Sequence, residues 1–212
     1  MQHNPYDLII IEENIVPQQH IEELMFLTNS EDISQATIFK EKSEGENVDR
    51  KEDRGREDLK IRNTLWYPIS DEQSVKLEQG IAQAYGTHVQ PRYNCEFKSY
   101  EPAQFLGYPV GGHYLQHIDG EQIDPQTGEW EKALSRDISF LFYLNDEYGG
   151  GEIEFPSLGL TIRPKKGMMI AFPSYKEFPH MVHPVTWGHR YTVVSWVTTK
   201  QKLYDTIPKK GV

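Results

Sequence analysis

His117 and Asp119 stand two residues apart in YPVGGHYLQHID, residues 108–119, a stretch that reads as extended. In a strand, residues i and i+2 project to the same side, so an imidazole and a carboxylate there can face one point in space. One more histidine reaching that point would give two nitrogens and an oxygen with other coordination positions left open, the facial triad of non-haem Fe(II) chemistry. A second stretch, HMVHPVTWGHR at 180–190, holds three histidines, and His180 is the candidate for the third ligand. His180 and His183 differ by an odd number, so in an extended segment they face opposite sides and only one can join the site. The HxD pair alone is weak, because a solvated His and Asp on a loop would look the same.

The elements that must position these residues are short. Tyr6–Ile11 reads as a first strand, and Pro17 opens a helix to about Thr28 with Ile21, Leu24, Met25 and Thr28 on one side. Ile61–Pro68 is strand-like. Ser70 with Gln73 forms a capping box ahead of Leu77, Ile81, Ala84 and Tyr85, and Gly86 is the expected stop. From Asn94 onward strands follow one another: Cys95–Tyr100, Gln104–Tyr108, and His113–Ile118 after a turn at Gly111 and Gly112. A polar loop, GEQIDPQTGEWEKAL at 120–134, comes directly after Asp119. Asp137–Leu144 is the clearest central strand, apolar on both faces. Glu147–Gly151 reads as a turn, with strands at Glu152–Phe155, Leu160–Arg163 and Met168–Phe172, where the Met pair suits core packing. Arg190 begins the last strand, RYTVVSWV, with Arg190, Thr192, Val194 and Trp196 on one face. Without alternating helices this is not a parallel α/β sheet; the pattern gives an all-β sandwich or barrel with amino-terminal helices.

The chain has 212 residues, enough for one substantial core, and its 37% hydrophobic and 12% aromatic content argue against disorder. A formal net charge of -10 disfavours nonspecific binding to nucleic acid or to an acidic membrane. Cys95 is the single cysteine, so no intrachain disulfide can form and nothing asks for an oxidising compartment. The start, MQHNPYDLII, lacks a basic region followed by a long apolar run, and no stretch reads as a transmembrane span. The expectation is a cytoplasmic protein of a microbe or a virus.

Two spaced patterns carry more than the isolated histidines. Tyr108, Gly111, Tyr114, His117 and Asp119 form YxxGxxYxxHxD; His180, Val182, Pro184, Val185, Gly188 and Arg190 form HxVxPVxxGxR. YLN at 143–145 and GGEIEF at 150–155 lie between them. Together, in order through roughly Glu101 to Val197, they resemble the prolyl 4-hydroxylase-like branch of the Fe(II)- and 2-oxoglutarate-dependent dioxygenases. The resemblance implies a mainly β fold, a distorted double-stranded β-helix (a jelly roll, or cupin-like barrel) with supporting amino-terminal helices. It implies one domain over residues 1–212: strands, helices and a mobile loop in 1–93, and the catalytic core in 94–200. Pro184 and Arg190 select His180 as the ligand in the family pattern, leaving His183 and His189 in variable positions.

What the resemblance implies for chemistry follows residue by residue. Fe(II) is held by His117, Asp119 and His180, with 2-oxoglutarate and dioxygen as cosubstrates and ascorbate as a reductant the family can use. Arg190 grips the distal carboxylate of 2-oxoglutarate, and Tyr143 shares it. Tyr108 contacts cosubstrate or the coordination sphere, and Thr192 lines the same pocket. Tyr114 is the second aromatic of the pattern or packs beneath His117. Spacing alone shows only that Arg190, a cation opening a largely apolar face, needs a partner. Asp119 speaks against the halogenating branch of this superfamily, where the ligand carboxylate is lost. The expected reaction is hydroxylation of a prolyl residue in a peptide or protein, 4-hydroxylation first, with 2-oxoglutarate converted to succinate and carbon dioxide. Arg62, Trp66, Trp130, Arg136 and Trp196 are the candidate substrate contacts. The polar segments 39–60 and 120–135 would border an open groove, the first as a lid. Against this stand a hydroxylase of a free amino acid or another side chain, a noncatalytic metal-binding β-barrel module, and, more weakly, a zinc hydrolase, which would leave Arg190 unexplained.

Overall fold

A computed structural model describes residues 5–39 and 55–201, together with Leu203. The beginning differs from the expected strand at Tyr6–Ile11. A 3-10 turn at Pro5–Leu8 comes first, and β1 is only Ile10–Glu12. Proline suits the fixed φ of a helical first turn, and Ile9 N–H closes it on the Tyr6 carbonyl at 3.1 Å. Helix α1, Gln18–Phe26, follows Pro17 and buries Ile21 and Leu24. Short strands β2 (Ser34–Gln35), β3 (Ile38–Phe39) and β4 (Gly55–Arg56) come next, β3 pairing with β4. Most of the proposed lid, residues 40–54, lies outside the described residues.

Ile61–Pro68 is extended but divides in two, β5 (Arg62–Asn63) and β6 (Leu65–Tyr67), which enter different sheets. Thr64 is the break; its carbonyl accepts from Ala36 N–H at 2.8 Å and from the Gln35 amide at 2.9 Å. Helix α2, Asp71–Ala84, carries the full capping box: Ser70 Oγ accepts from Gln73 N–H, and the Gln73 side chain accepts from Ser70 N–H. Gly86 is not the stop. The chain continues through a π-helical turn, Tyr85–Val89, into α3, Gln90–Tyr93, and ends at Asn94 with φ 49°. Tyr85, Val89 and Tyr93 are all buried at a spacing of four, and that apolar face carries the helix past a permissive glycine. Asparagine then supplies the left-handed cap.

The remaining strands are β7 (Phe97–Tyr100), β8 (Gln104–Tyr108), β9 (His113–His117), β10 (Glu121–Ile123), β11 (Trp130–Lys132), β12 (Ile138–Tyr143), β13 (Tyr148–Gly150) and β14 (Ile153–Phe155). They are followed by β15 (Leu160–Ile162), β16 (Met169–Pro173), β17 (His180–Val182), β18 (Val185–Gly188) and β19 (Arg190–Thr199). Two expectations change here. The polar stretch after Asp119 is a hairpin of β10 on β11, closed by Gly128 N–H on the Asp124 carbonyl at 2.8 Å with Gly128 at φ 70°. The expected turn at Glu147–Gly151 contains β13, paired with β18.

This is a mixed α/β fold rich in antiparallel sheet, with helices flanking it. An eight-stranded sheet runs β1-β16-β12-β19-β8-β6-β2, with β7 also on β19; a five-stranded sheet runs β15-β14-β17-β9-β5. Among the described residues both are open orders, not closed rings. Every residue of β12 is buried, between β16 and β19, which explains why both its faces read as apolar. Phe105, Phe140, Phe155, Phe172, Met168 and Met169 fill the core. No helix among the described residues is long and apolar enough to cross a membrane.

Candidate metal centre and anion pocket

The triad forms where β9 and β17 pair. His117, the last residue of β9, lies opposite His180, the first of β17, and Tyr114 lies opposite Val182. Two residues on β17 thus span three on β9, a bulge that leaves Leu115 and Gln116 facing solvent and returns Tyr114 and His117 to one side. Tyr114 stacks on the His117 ring at 3.5 Å between centroids, so it packs beneath that imidazole. Asp119, two residues beyond, presents Oδ1 3.6 Å from His117 Nε2 and Oδ2 3.6 Å from His180 Nε2. One ligand atom from each of the three lies within 4.8 Å of the others, the sole such His/Cys/Asp/Glu group among the described residues.

Each imidazole is oriented by its other nitrogen. His117 Nδ1 is 2.8 Å from the Leu115 carbonyl and His180 Nδ1 is 3.2 Å from the Phe178 carbonyl; these contacts place the N–H on Nδ1 and leave each Nε2 a lone pair aimed at Asp119. His180 is buried against the Phe172 edge at 4.7 Å between centroids. The Ser139 hydroxyl donates to Asp119 Oδ2 at 2.6 Å and meets Ser174 Oγ at 2.8 Å. Gly120 clamps the chain after the carboxylate. A Cβ there would stand 2.6 Å from the Arg136 carbonyl oxygen and 2.9 Å from that of Ser174, too close for any side chain.

Protonation agrees with ligation. Burial, and then His180 beside it, push the His117 imidazole down to about 3 despite Asp119. Burial would raise Asp119, but His180, His117, Arg136 and the Ser139 hydroxyl together hold it below the usual carboxylate range. A neutral imidazole and an ionised carboxylate are the states a divalent cation requires. The donor set fits Fe(II), and its two nitrogens and one oxygen from one side fit the facial arrangement.

A second site is built around Arg190 at the start of β19. Its guanidinium is fully buried, with Cζ 4.4 Å from the Tyr108 ring centroid and 5.0 Å from that of Tyr143. Pairing explains the grouping: Arg190 is opposite Tyr108 across to β8, and Thr192 is opposite Tyr143 across to β12. Nε, Nη1 and Nη2 of Arg190 have no hydrogen-bond partner, nor do the hydroxyls of Tyr143 and Tyr148. Burial opposes the arginine's charge, but the surrounding phenols outweigh it and favour the charged form. A buried, unpaired guanidinium is costly, and its planar fork matches a carboxylate. Thr192 Oγ1 donates to the Phe142 carbonyl at 3.0 Å, so this hydroxyl braces β12.

The other sequence candidates are placed as follows. Arg62 is buried, with Cζ 4.8 Å from the Tyr114 ring centroid and Nη1 donating to the Thr37 carbonyl at 2.8 Å. Arg136 and Trp196 come together: the guanidinium lies 3.5 Å from the indole centroid and makes two bonds to Glu101 at 2.8 and 2.7 Å. Trp130 is exposed on the hairpin, 5.9 Å from Lys176 Nζ. Trp66 stands on β6, opposite Ser34 and Leu106. His183 turns away to Glu154 at 2.6 Å, and His189 stacks along Tyr191. Sequence reasoning missed Ser139 and Tyr148. A signal existed for Ser139, a hydroxyl on an apolar strand in phase with Tyr143. Tyr148 sat in what read as a turn, and nothing marked its burial.

Residues 103–198 match the family model of the 2OG-Fe(II) oxygenase superfamily, and the His117/Asp119/His180 group that could hold a metal lies within that stretch. The chain is related to prolyl 3- and 4-hydroxylases. It is 40% identical over 102 residues to prolyl 3-hydroxylase 2 of Mus musculus, covering 44% of this chain and 14% of that protein. It is 28% identical over 130 residues to prolyl 4-hydroxylase subunit alpha-1 of Gallus gallus, covering 57% and 25%. The match thus spans a quarter or less of the length of these relatives. In fold it is similar to the viral collagen prolyl hydroxylase of Paramecium bursaria Chlorella virus-1, solved as a 2OG complex, with a TM-score of 0.62, 20% identity, and coverage of 92% of this chain and 97% of that one.

Proposed function

We propose that this protein is an Fe(II)- and 2-oxoglutarate-dependent hydroxylase acting on prolyl residues of a peptide or protein. The observation that carries the reading is the Arg190 guanidinium, buried between Tyr108 and Tyr143 with all three nitrogens unpaired. A zinc hydrolase or a simple metal-binding module gives that charge nothing to hold, whereas a dicarboxylate cosubstrate does. His117, Asp119 and His180 hold the metal, and Ser139 and Arg136 fix the Asp119 carboxylate and its backbone. Arg190 receives the distal carboxylate of 2-oxoglutarate, with Tyr143 donating a further bond. Bound there, Fe(II) supplies the activation of dioxygen that couples decarboxylation of 2-oxoglutarate to succinate with hydroxylation of a substrate carbon. The protein's share is to orient cosubstrate and substrate and to keep water from the pocket.

The eight- and five-stranded sheets are, on this reading, the two faces of a distorted double-stranded β-helix whose core spans 94–200. A prolyl substrate is supported by relatives that carry that activity in their names. Position 4 is the expectation from the motifs, and position 3 stands beside it because a prolyl 3-hydroxylase is among the relatives. Trp130, exposed on the hairpin that follows Asp119, is our substrate contact of choice. The test is succinate release by anaerobically Fe(II)-loaded protein once oxygen is admitted, with ascorbate and a panel of proline-rich peptides, followed by chromatographic separation of 3- and 4-hydroxyproline. Iron-dependent succinate stimulated by peptide, with hydroxyproline formed, is the expected result. Succinate without any peptide stimulation would remove the prolyl substrate, and none under any condition would remove the oxygenase.

A further inference from the structure

We propose that Tyr148 is a direct ligand of the same carboxylate that Arg190 grips, so that the distal end of the pocket is a cage of four donors. The inference rests on the reading of this site as the cosubstrate pocket. Tyr148 is 1% exposed, and its hydroxyl makes no well-formed hydrogen bond within the protein, its nearest polar neighbour being the Arg190 guanidinium. A phenol is rarely buried with its polar end unpaired, because the lost hydration is not returned.

Strand pairing delivers this residue to the arginine. Tyr148 lies opposite Gly188, two residues before Arg190, and β13 is otherwise a pair of glycines. Gly151 marks how closely the two side chains run. A Cβ at that position would stand 3.0 Å from Arg190 Cδ and 3.0 Å from Tyr148 Cε2, and φ there is +67°, so glycine alone lets the phenol ring lie along the arginine arm.

Counting donors gives the consequence. An ionised carboxylate offers about four lone-pair directions. The arginine fork occupies two, and two buried hydroxyls beside it, those of Tyr143 and Tyr148, are without partners. Burial raises the pKa of both phenols, so both keep the proton they would donate. Tyr143 alone would leave one carboxylate direction unfilled in a dry pocket. If Tyr148 only packed, a phenylalanine would serve as well.

That distinction is the test. Calorimetric titration of the anaerobic Fe(II)-loaded protein with 2-oxoglutarate is compared between the wild type and Tyr148→Phe. Oxalate, which can chelate the metal but has no distal carboxylate, is titrated in parallel. The expected result is a loss of about tenfold in 2-oxoglutarate affinity for Tyr148→Phe, the size of a lost hydrogen bond to a charged group, with oxalate affinity unchanged. Equal 2-oxoglutarate affinity in the two proteins overturns the role of Tyr148 and leaves the pocket reading intact. Equal losses for both ligands also overturn it, since the damage then lies at the metal. A wild type that binds oxalate but not 2-oxoglutarate overturns the pocket reading itself.

Discussion

The triad and the Arg190 pocket use opposite electrostatic designs. At the triad the ligand side chains are held from behind, each Nδ1 by a backbone carbonyl and Asp119 Oδ2 by Ser139, while the two Nε2 atoms stand 3.6 Å from the carboxylate oxygens. At Arg190 three nitrogens and two neighbouring hydroxyls are buried with no partner. The ligand side chains of the first site are oriented from behind, while the second holds a cation whose polar surroundings are phenols and whose fork is left for an anion. Geometry is therefore the property guarded at one end, and binding energy at the other.

The contrast can be broken most sharply at His180. His180→Ala is expected to weaken Fe(II) binding by more than about 100-fold, since even the outer partners of metal ligands are worth 10–100-fold. His183→Ala, which removes only a contact to Glu154, is expected to leave it unchanged; equilibrium metal titration checks both, and the reverse order would exchange the ligands. Next comes Arg190→Met. It is expected to cost about 100-fold in 2-oxoglutarate affinity. Calorimetric titration of the Fe(II)-loaded variant checks it, and an affinity equal to wild type would deny Arg190 the distal carboxylate. The smallest change is Ser139→Ala, expected to weaken Fe(II) binding about tenfold through a loosened Asp119 while 2-oxoglutarate affinity of the fully metal-loaded protein holds. A metal titration indistinguishable from wild type would deny Ser139 any part in aiming the carboxylate.

Spacing carried the chemistry further than it carried the backbone. The i, i+2 placement of His117 and Asp119 and the order of Pro184 and Arg190 behind His180 were visible in the chain, and those residues do meet. The bulge at Leu115–Gln116 was not. Strict alternation puts Tyr114 and His117 on opposite faces, and only pairing with a strand some sixty residues away inserts the extra residue. The hairpin at 121–132 hid for a related reason: its strands are three residues long and polar, so no apolar alternation announced them. Gly86 misled because burial of Tyr85, Val89 and Tyr93 overrode a local stop signal. Tyr148 was beyond reach, since its isolation beside Arg190 is a property of tertiary packing.

Ile61–Tyr67 ties the two large sheets through a single residue, Thr64, with β5 in one and β6 in the other. For protein engineering this makes the segment a poor place to open the backbone. A circular permutant or an inserted tag there would loosen β5, the outer strand of the five-stranded sheet, and β6, which joins β2 to β8 in the other, in one cut. Its β5 side also carries Arg62, which reaches the ring beneath His117. The metal centre would feel a break made on what looks, from the sequence, like an ordinary strand.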